Sequence, residues 1–242
     1  MFRTLNADEI DVRIAQIEKN WCSLLLYKDA RVDQNILDET VGEMNWQKHY
    51  SRDNANCTVS IWDDKKEQWI EKEDTGTESF SEKEKGLASD SFKRACFNWG
   101  IGRELYTSPS IFLFPRKDIN YKYNGKDVDE FYEYKEGKYT TKTRFYVDYI
   151  DYDEQRKIKD LVIRDNKNNI RFEELSNETE KVRDKKIMKF KKLIEQNEEK
   201  DDKFGRKEVY KYFGAENDGQ IKWNDLDKAI NLLEKRLKES DK

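Results

Sequence analysis

Cys57-Thr58-Val59-Ser60-Ile61-Trp62, the turn Asp63-Asp64-Lys65-Lys66 and the run from Gln68 to Glu78 decide the fold class. Cys57, Val59 and Ile61 alternate with Thr58, Ser60 and Trp62, the period of two expected of a strand with one buried face. The charged tetrad reads as a turn. With Trp46 to Ser51 before it, the stretch predicts a three-stranded antiparallel meander. The period then changes. Ser81 and Glu84 have the spacing of a capping box, and Gly100 and Gly102 stand where a helix stop belongs. Ala88, Phe92, Ala95 and Trp99 fall on one stripe of that helix and are expected to pack on the sheet. Opposite that stripe or on its flanks lie Lys83, Lys93, Arg94 and Phe97. Core packing does not require a ring among cations there.

Outward from this segment, Leu5, Ile10, Ile14 and Ile17 predict an opening helix capped by Asn6 or Asp8. Trp21 to Tyr27 fits either a strand or a buried turn. Ile36 to Val41 predicts a short helix ending at Gly42. Downstream, Pro109 and Pro115 punctuate a linker, and Tyr121 to Tyr139 reads as a long, partly ordered insertion. Phe145, Val147 and Tyr149 alternate again. Leu161 to Ile163, a turn at Asp165 to Asn169, and Ile170 to Phe172 complete a second small antiparallel unit. Glu173 to Lys203 is charged and weakly apolar, a helical spacer by composition. Val209, Tyr212 and Phe213, then Leu226, Ile230, Leu233 and Leu237, mark a helix-turn-helix-like tail. The expected fold is therefore α+β: a β-β-β-α core, a small antiparallel β extension and a C-terminal helical module. The expected organisation is a domain over 1–172, a spacer over 173–203 and a small module over 204–242.

The chain has 242 residues, 36% apolar and 40% charged, and would have a thin interior as a monomer. Some apolar surface is expected to be completed by a neighbouring subunit. An aromatic content of 13% argues against a disordered chain. The net charge of -4 counts against indiscriminate binding to phosphates. A local basic groove remains compatible with it, because screening confines charge effects to ~10 Å at 0.1 M salt. Cys22, Cys57 and Cys96 form no CxxC pair, which points away from a disulfide framework or zinc knuckle and toward a reducing compartment. Acidic residues appear by Asp8 without an apolar h-region, and the longest apolar run, Leu24-Leu25-Leu26, is too short to span a bilayer. Neither a signal peptide nor a membrane span is expected, and the cytoplasm is the expected location.

Several groupings invite catalytic or metal readings. His49 is the only histidine and lacks the context of a nucleophile or carboxylate, so it reads as a strand residue. Asp63-Asp64, Asp151 with Asp153 and Glu154, and Asp201-Asp202 have the composition of a two-metal nuclease. Each falls in a turn or in the spacer, where acids are ordinary. From Gly214 to Asp225, Asp218, Gly219 and Ile221 occupy positions five, six and eight of an EF-hand-like loop. Gly214 replaces the first carboxylate and Asp225 the bidentate glutamate, so the tail reads better as a protein-docking module than as a calcium site. There is no Walker A sequence, and no nucleotide or other cofactor is signalled.

The segment Trp46 to Tyr106 resembles the core of the Rad fifty-two single-strand annealing family and its phage-type, Sak-like relatives. The resemblance is carried by Glu73-Asp74-Thr75-Gly76-Thr77, then Glu82-Lys83-Glu84-Lys85-Gly86, then Ala88-Ser89-Asp90-Ser91-Phe92-Lys93-Arg94-Ala95 and Asn98-Trp99-Gly100. Arg31 stands upstream in a position similar to a basic residue of the family. The likeness covers roughly the first 110 residues and fades beyond Pro115, where the chain looks like a phage-type extension. A composition rich in Lys, Asn, Ile and Tyr is compatible with an AT-rich genome.

The resemblance implies a homo-oligomeric ring or helical filament, with single-stranded DNA in a groove between helix and sheet. It makes Lys93 and Arg94 the phosphate-contacting residues, with Lys85, Arg31 and Lys83 next. Where the eukaryotic family has a further basic residue after the Lys-Arg pair, this chain has Phe97, which either stacks on bases or belongs to a subunit interface. The implied activity is ATP-independent annealing in homologous recombination and double-strand break repair, not catalysis, in a bacterial host cytoplasm. Lysine and arginine suit it because phosphate contacts hold a strand without reading its sequence. A ring such as Phe97 could add ~1–3 kcal/mol of stacking per base. The alternatives are a protecting single-strand-binding protein or a metal-dependent nuclease. The 204–242 module is expected to dock a host single-strand-binding protein or a partner exonuclease.

Overall fold

The computed structural model describes residues 1–77, 83–200 and 205–240. The side chains of Lys83, Glu84, Lys85 and Ser240 lie outside the described residues, and so does the expected capping box of Ser81 with Glu84. The chain is mixed α+β and divides into two compact units, Met1–Asp11 with Leu26–Ser108, and Val12–Leu25 with Pro109–Lys242.

The expected opening helix is not formed. After a 3-10 turn at Ala7–Glu9, the chain runs through β1 (Asp11–Ile17) and β2 (Cys22–Tyr27). Val12 and Ile14 alternate with the exposed Asp11, Arg13 and Ala15, and this period of two prevails over the helical spacing of Ile10, Ile14 and Ile17. Both strands belong mainly to the sheet of the second unit.

In the first unit, α1 (Ala30–Val41) starts at Asp29, whose side chain accepts from the Arg31 N–H, and ends at Gly42 with φ +88°. That positive φ is why a glycine stands at the helix end. Next come β3 (Trp46–Ser51), β4 (Asn56–Asp63) and β5 (Gln68–Thr75), which form the expected antiparallel meander. Cross-strand rows place Trp46 beside Ile61 and Ile70, and Lys48 beside Val59 and Lys72. The last strand ends at Thr75, short of the expected Glu78. Helix α2 (Lys83–Trp99) follows and packs on β4 and β5. Phe92, Ala95 and Cys96 of α2 are buried, as are Cys57 and Val59 of β4 and Ile36 and Leu37 of α1. Gly76 lets this packing happen: a Cβ there would lie 2.5 Å from the Ser91 nitrogen and 2.7 Å from the Leu87 oxygen. Gly100 and Gly102, at φ +95° and +75°, end the helix as expected.

In the second unit the strands are more numerous than expected. The order β13-β12-β11-β1-β2-β6 gives a six-stranded sheet built from β6 (Ile111–Leu113), β11 (Phe145–Tyr152), β12 (Ile158–Asp165), β13 (Ile170–Glu174) and the two N-terminal strands. The expected small extension is therefore half of a larger sheet. The Tyr121–Tyr139 insertion is ordered as two hairpins, β7 (Asn120–Tyr123) with β8 (Lys126–Asp129), and β9 (Tyr132–Lys135) with β10 (Lys138–Thr140). Asn124 and Gly125 both have positive φ at the first turn, the signature of a tight two-residue hairpin.

The stretch expected as a spacer is α3 (Asn177–Lys200) over most of its length. Its Phe190, Leu193 and Ile194 join Val209 of α4 (Arg206–Phe213) and Leu226, Ile230 and Leu233 of α5 (Trp223–Ser240) in one buried cluster. The C-terminal helical region thus begins well before residue 204. Among the described residues no helix is long and apolar enough to cross a membrane.

Candidate nucleic-acid interface

Lys93 and Arg94 are consecutive on α2 and serve different flanks. The charge of Lys93 is felt by both Asp29 and Asp33 at the start of α1. Arg94 faces the other way and pairs with Asp74 of β5 at 3.2 Å. Arg31 is also paired, with its guanidinium on Asp29 at 2.8 Å, although its side chain is 81% exposed. Arg31 and Lys93 are thus brought to one carboxylate, and Arg94 is apart from them. The Arg31 hydrogen bonds hold Asp29 down to about 2, well below the ordinary carboxylate range.

Beneath this corner, Lys28 forms a buried ion pair with Asp33. Burial outweighs that partner and raises the Asp33 carboxyl to about 6. Burial also pushes the Cys57 thiol up to about 11 and raises that of Cys96, so both are inert thiols at neutral pH.

Phe97 lies outside the buried core residues. It is half-buried, with its ring 4.7 Å from that of Tyr106 and the Arg103 guanidinium 5.5 Å from its centroid. Arg103 also donates to the carbonyls of Phe97 and Asn98. Tyr106, at 77% exposure, carries the open ring of this pair.

Two lysines that the sequence reading passed over complete the region. Lys48 of β3 and Lys72 of β5 flank Val59 in one cross-strand row on the face that carries α2. The Lys48 ammonium lies 4.5 Å over the Phe92 ring, and that of Lys72 lies 4.4 Å over the Trp99 ring. Lys72 also donates to the Asn98 carbonyl at 2.8 Å. Their signal in the sequence is position: Trp46-x-Lys48-x-Tyr50 and Ile70-x-Lys72-x-Asp74 put both on the inward side of the alternation. Beside Trp99, an open cleft of about 340 Å3 is lined by Ile61, Ile70 and the Asp63–Lys65 turn.

Of the acidic groupings, Asp201-Asp202 lies outside the described residues. Among the described residues no group of three or more His, Cys, Asp or Glu is placed to hold a metal ion. In the EF-hand-like loop the carbonyls of Gly219 and Ile221 accept from Arg164 at 2.6 and 3.0 Å. Arg164 of β12 thus anchors this loop through its backbone. His49 is an exposed residue of β3, opposite Thr58.

With this geometry in place, comparison with known proteins adds no relative: no family model, curated protein or solved structure matches the chain.

Proposed function

We propose that the protein binds single-stranded DNA along the two flanks of α2 and anneals complementary strands without nucleotide or metal. The observation that carries this reading is the pair Lys48 and Lys72. Each ammonium sits over a ring of α2 at the seam between helix and sheet, and among the described residues neither has a carboxylate partner. A cation over an aromatic face keeps its charge for an outside anion, whereas one in an ion pair has spent most of it on its partner. With Lys93 on the α1 side, these groups supply a phosphate track beside the helix. Phosphate contacts hold a strand while its base edges remain free to test a complement.

Arg94 and Arg31 enter the proposal as switchable contacts. Both are held by an exposed or half-exposed carboxylate, Asp74 and Asp29, and a phosphate can displace such a surface pair at small cost. The resemblance adds a homo-oligomeric ring or filament, and a partner such as a single-strand-binding protein or an exonuclease.

Incubating purified protein with two labelled complementary oligonucleotides tests the reading against its rivals. The proposal expects faster duplex formation with both strands full length, in EDTA and without ATP. Shortened strands would identify a nuclease, and intact strands that pair more slowly than in free solution would identify a protector.

A further inference from the structure

At the C-terminal end of α2 two cations converge on one carbonyl. Lys72 of β5 and Arg103 of the 3-10 turn Arg103–Thr107 each donate to the Asn98 oxygen at 2.8 Å. The two charged groups therefore lie no farther apart than these two bonds laid end to end. Among the described residues neither has a carboxylate partner. The acids of β5 are engaged otherwise. Asp74 is held by Arg94, while Glu71 accepts from Ser60, and Glu73 from Asn56 and Thr58, on the other side of the alternation. One cation on the last carbonyls is enough to stabilise a helix end. A second on the same oxygen adds like-charge repulsion, which an anion between the two turns into attraction.

Beside these cations stands an exposed ring that the fold holds in place. Tyr106 rests 4.7 Å from the half-buried Phe97 ring, and the Arg103 guanidinium lies over that same ring. The turn carrying Tyr106 is fixed from beneath. The buried Glu104 carboxylate accepts from the Leu5 N–H at 2.8 Å, and the Thr107 hydroxyl donates to the Glu104 carbonyl at 2.7 Å. Gly102, at φ +75°, lets the turn close over Lys28, whose Cε would lie 2.3 Å from an added Cβ.

We propose that this corner is a single-nucleotide subsite, with a backbone phosphate between Lys72 and Arg103 and a base stacked on Tyr106. The proposal rests on the reading of the protein as a single-strand binder and adds where a base is held. One exposed tyrosine alone is ordinary on a protein surface. Here the ring is backed by a second ring and stands beside two unpaired cations, so phosphate and base of one nucleotide are met together. A ring already fixed by its turn loses little freedom on binding. Stacking is tolerant of sequence, because every base has a flat face. It also leaves the pairing edge of the base exposed, as a search for a complement requires. An acidic peptide would satisfy the cations but offers no base to the ring.

The test uses the full chain and the variants Tyr106→Ala, Tyr106→Phe and Arg103→Gln, with circular dichroism to verify the fold of each. Polarisation of a labelled oligo(dT) is compared over a salt series with that of an abasic strand of the same length. The abasic strand keeps the backbone and lacks the bases. Tyr106→Ala is expected to bind oligo(dT) about tenfold more weakly, the order of one stacked base. Its binding to the abasic strand and its salt slope should not change. Tyr106→Phe, which keeps the ring, should recover most of the loss. Arg103→Gln should lower the log-log salt slope by about 0.7 on both probes, the share of one phosphate. Equal losses by Tyr106→Ala on the two strands, or a Tyr106→Phe as weak as Tyr106→Ala, would overturn the stacking. Wild type that binds the abasic strand as tightly as oligo(dT) would overturn it without any variant. An unaltered slope in Arg103→Gln would overturn the phosphate contact and with it the subsite. Wild-type protein that binds neither probe would overturn both this subsite and the proposed function, whereas wild-type binding of oligo(dT) with an unaltered Tyr106→Ala overturns the subsite alone.

Discussion

Arg164 and Asp148 form an ion pair at 2.6 Å within the second unit, with side chains only 5% and 3% exposed. The same guanidinium donates to the carbonyls of Asn168, Gly219 and Ile221, and Asp148 accepts from the Trp223 N–H at 3.1 Å. Strands β11 and β12 thereby hold the loop that precedes α5, and Trp223 stacks on Tyr149 at 4.2 Å. Arg164→Ala leaves a buried carboxylate and three carbonyls without their donor, a loss of about 3–5 kcal/mol for a broken buried pair. Arg164→Lys restores the charge but not the fork of donors, so it recovers only part of that loss. Denaturant midpoints of the two variants check this, and equal stabilities for Arg164→Lys and wild type would contradict it.

Truncation after Lys203 removes Val209, Leu226, Ile230 and Leu233 from the cluster that buries Phe190, Leu193 and Ile194. It also strips Arg164 of two of its acceptors. The truncated chain is expected to lose thermal stability and to aggregate instead of behaving as a trimmed but intact protein. Phe190→Ala in the full chain reports the same cluster and costs about 3–5 kcal/mol. Calorimetry of both variants is the check, and an unchanged melting temperature for either would contradict the assignment of α3 to that core.

Gly76→Ala tests a different contact. The added Cβ meets backbone atoms of α2 at Ser91 and Leu87, which cannot move aside as a flexible side chain would. Overpacking of this kind costs about 1–3 kcal/mol. Urea unfolding should register that cost, while the proposed binding of single-stranded DNA by the folded fraction stays near wild type. Intact stability would mean that the glycine of the Glu73-Asp74-Thr75-Gly76 segment is there for something other than helix packing.

Asp29 gives a pH dependence with a definite sign. Its folded-state carboxyl is held down to about 2 by Arg31, below its unfolded value of about 4. The stability it contributes is therefore present above the unfolded value and is lost as pH falls through the folded one. Asp29→Ala should be less stable than wild type by about 1 kcal/mol at pH 7, the usual size of a lost helix cap. The gap should narrow between about pH 4 and 2. Unfolding curves at pH 7 and 2.5 measure it, and a constant gap would mean that the ionised cap is not the source.

How far the sequence disclosed these features depended on which period was in control. The meander was legible because Cys57, Val59 and Ile61 alternate cleanly, and α2 because Phe92 and Ala95 share a face that ends at paired glycines. The N-terminal strands were not, because Ile10, Ile14 and Ile17 have a helical spacing that competes with the alternation at Val12 and Ile14. The 121–139 hairpins were masked by their Tyr and Lys content, although Asn124-Gly125 is itself a turn signal. Of the candidate site, Lys93 and Arg94 could be named as residues but not assigned to flanks, since that depends on Asp29, Asp33 and Asp74 arriving from elsewhere in the chain. Lys48 and Lys72 escaped because inward lysines are rare and read as exceptions to a strand pattern. Their reason is visible only once the Phe92 and Trp99 rings lie beneath them.

The central claim is tested most directly by stopped-flow energy transfer between two labelled complementary oligonucleotides, without ATP and with EDTA present. Wild type is compared with Lys48→Ala/Lys93→Ala and Lys93→Ala/Arg94→Ala. Pairing accelerated by wild type and slowed at least tenfold in variants that remain folded, roughly the 1.4 kcal/mol expected for losing charged phosphate contacts, is the predicted result. Pairing no faster with wild type than in buffer would contradict annealing, and acceleration undiminished in both variants would contradict the flanks of α2 as the surface that holds the strand.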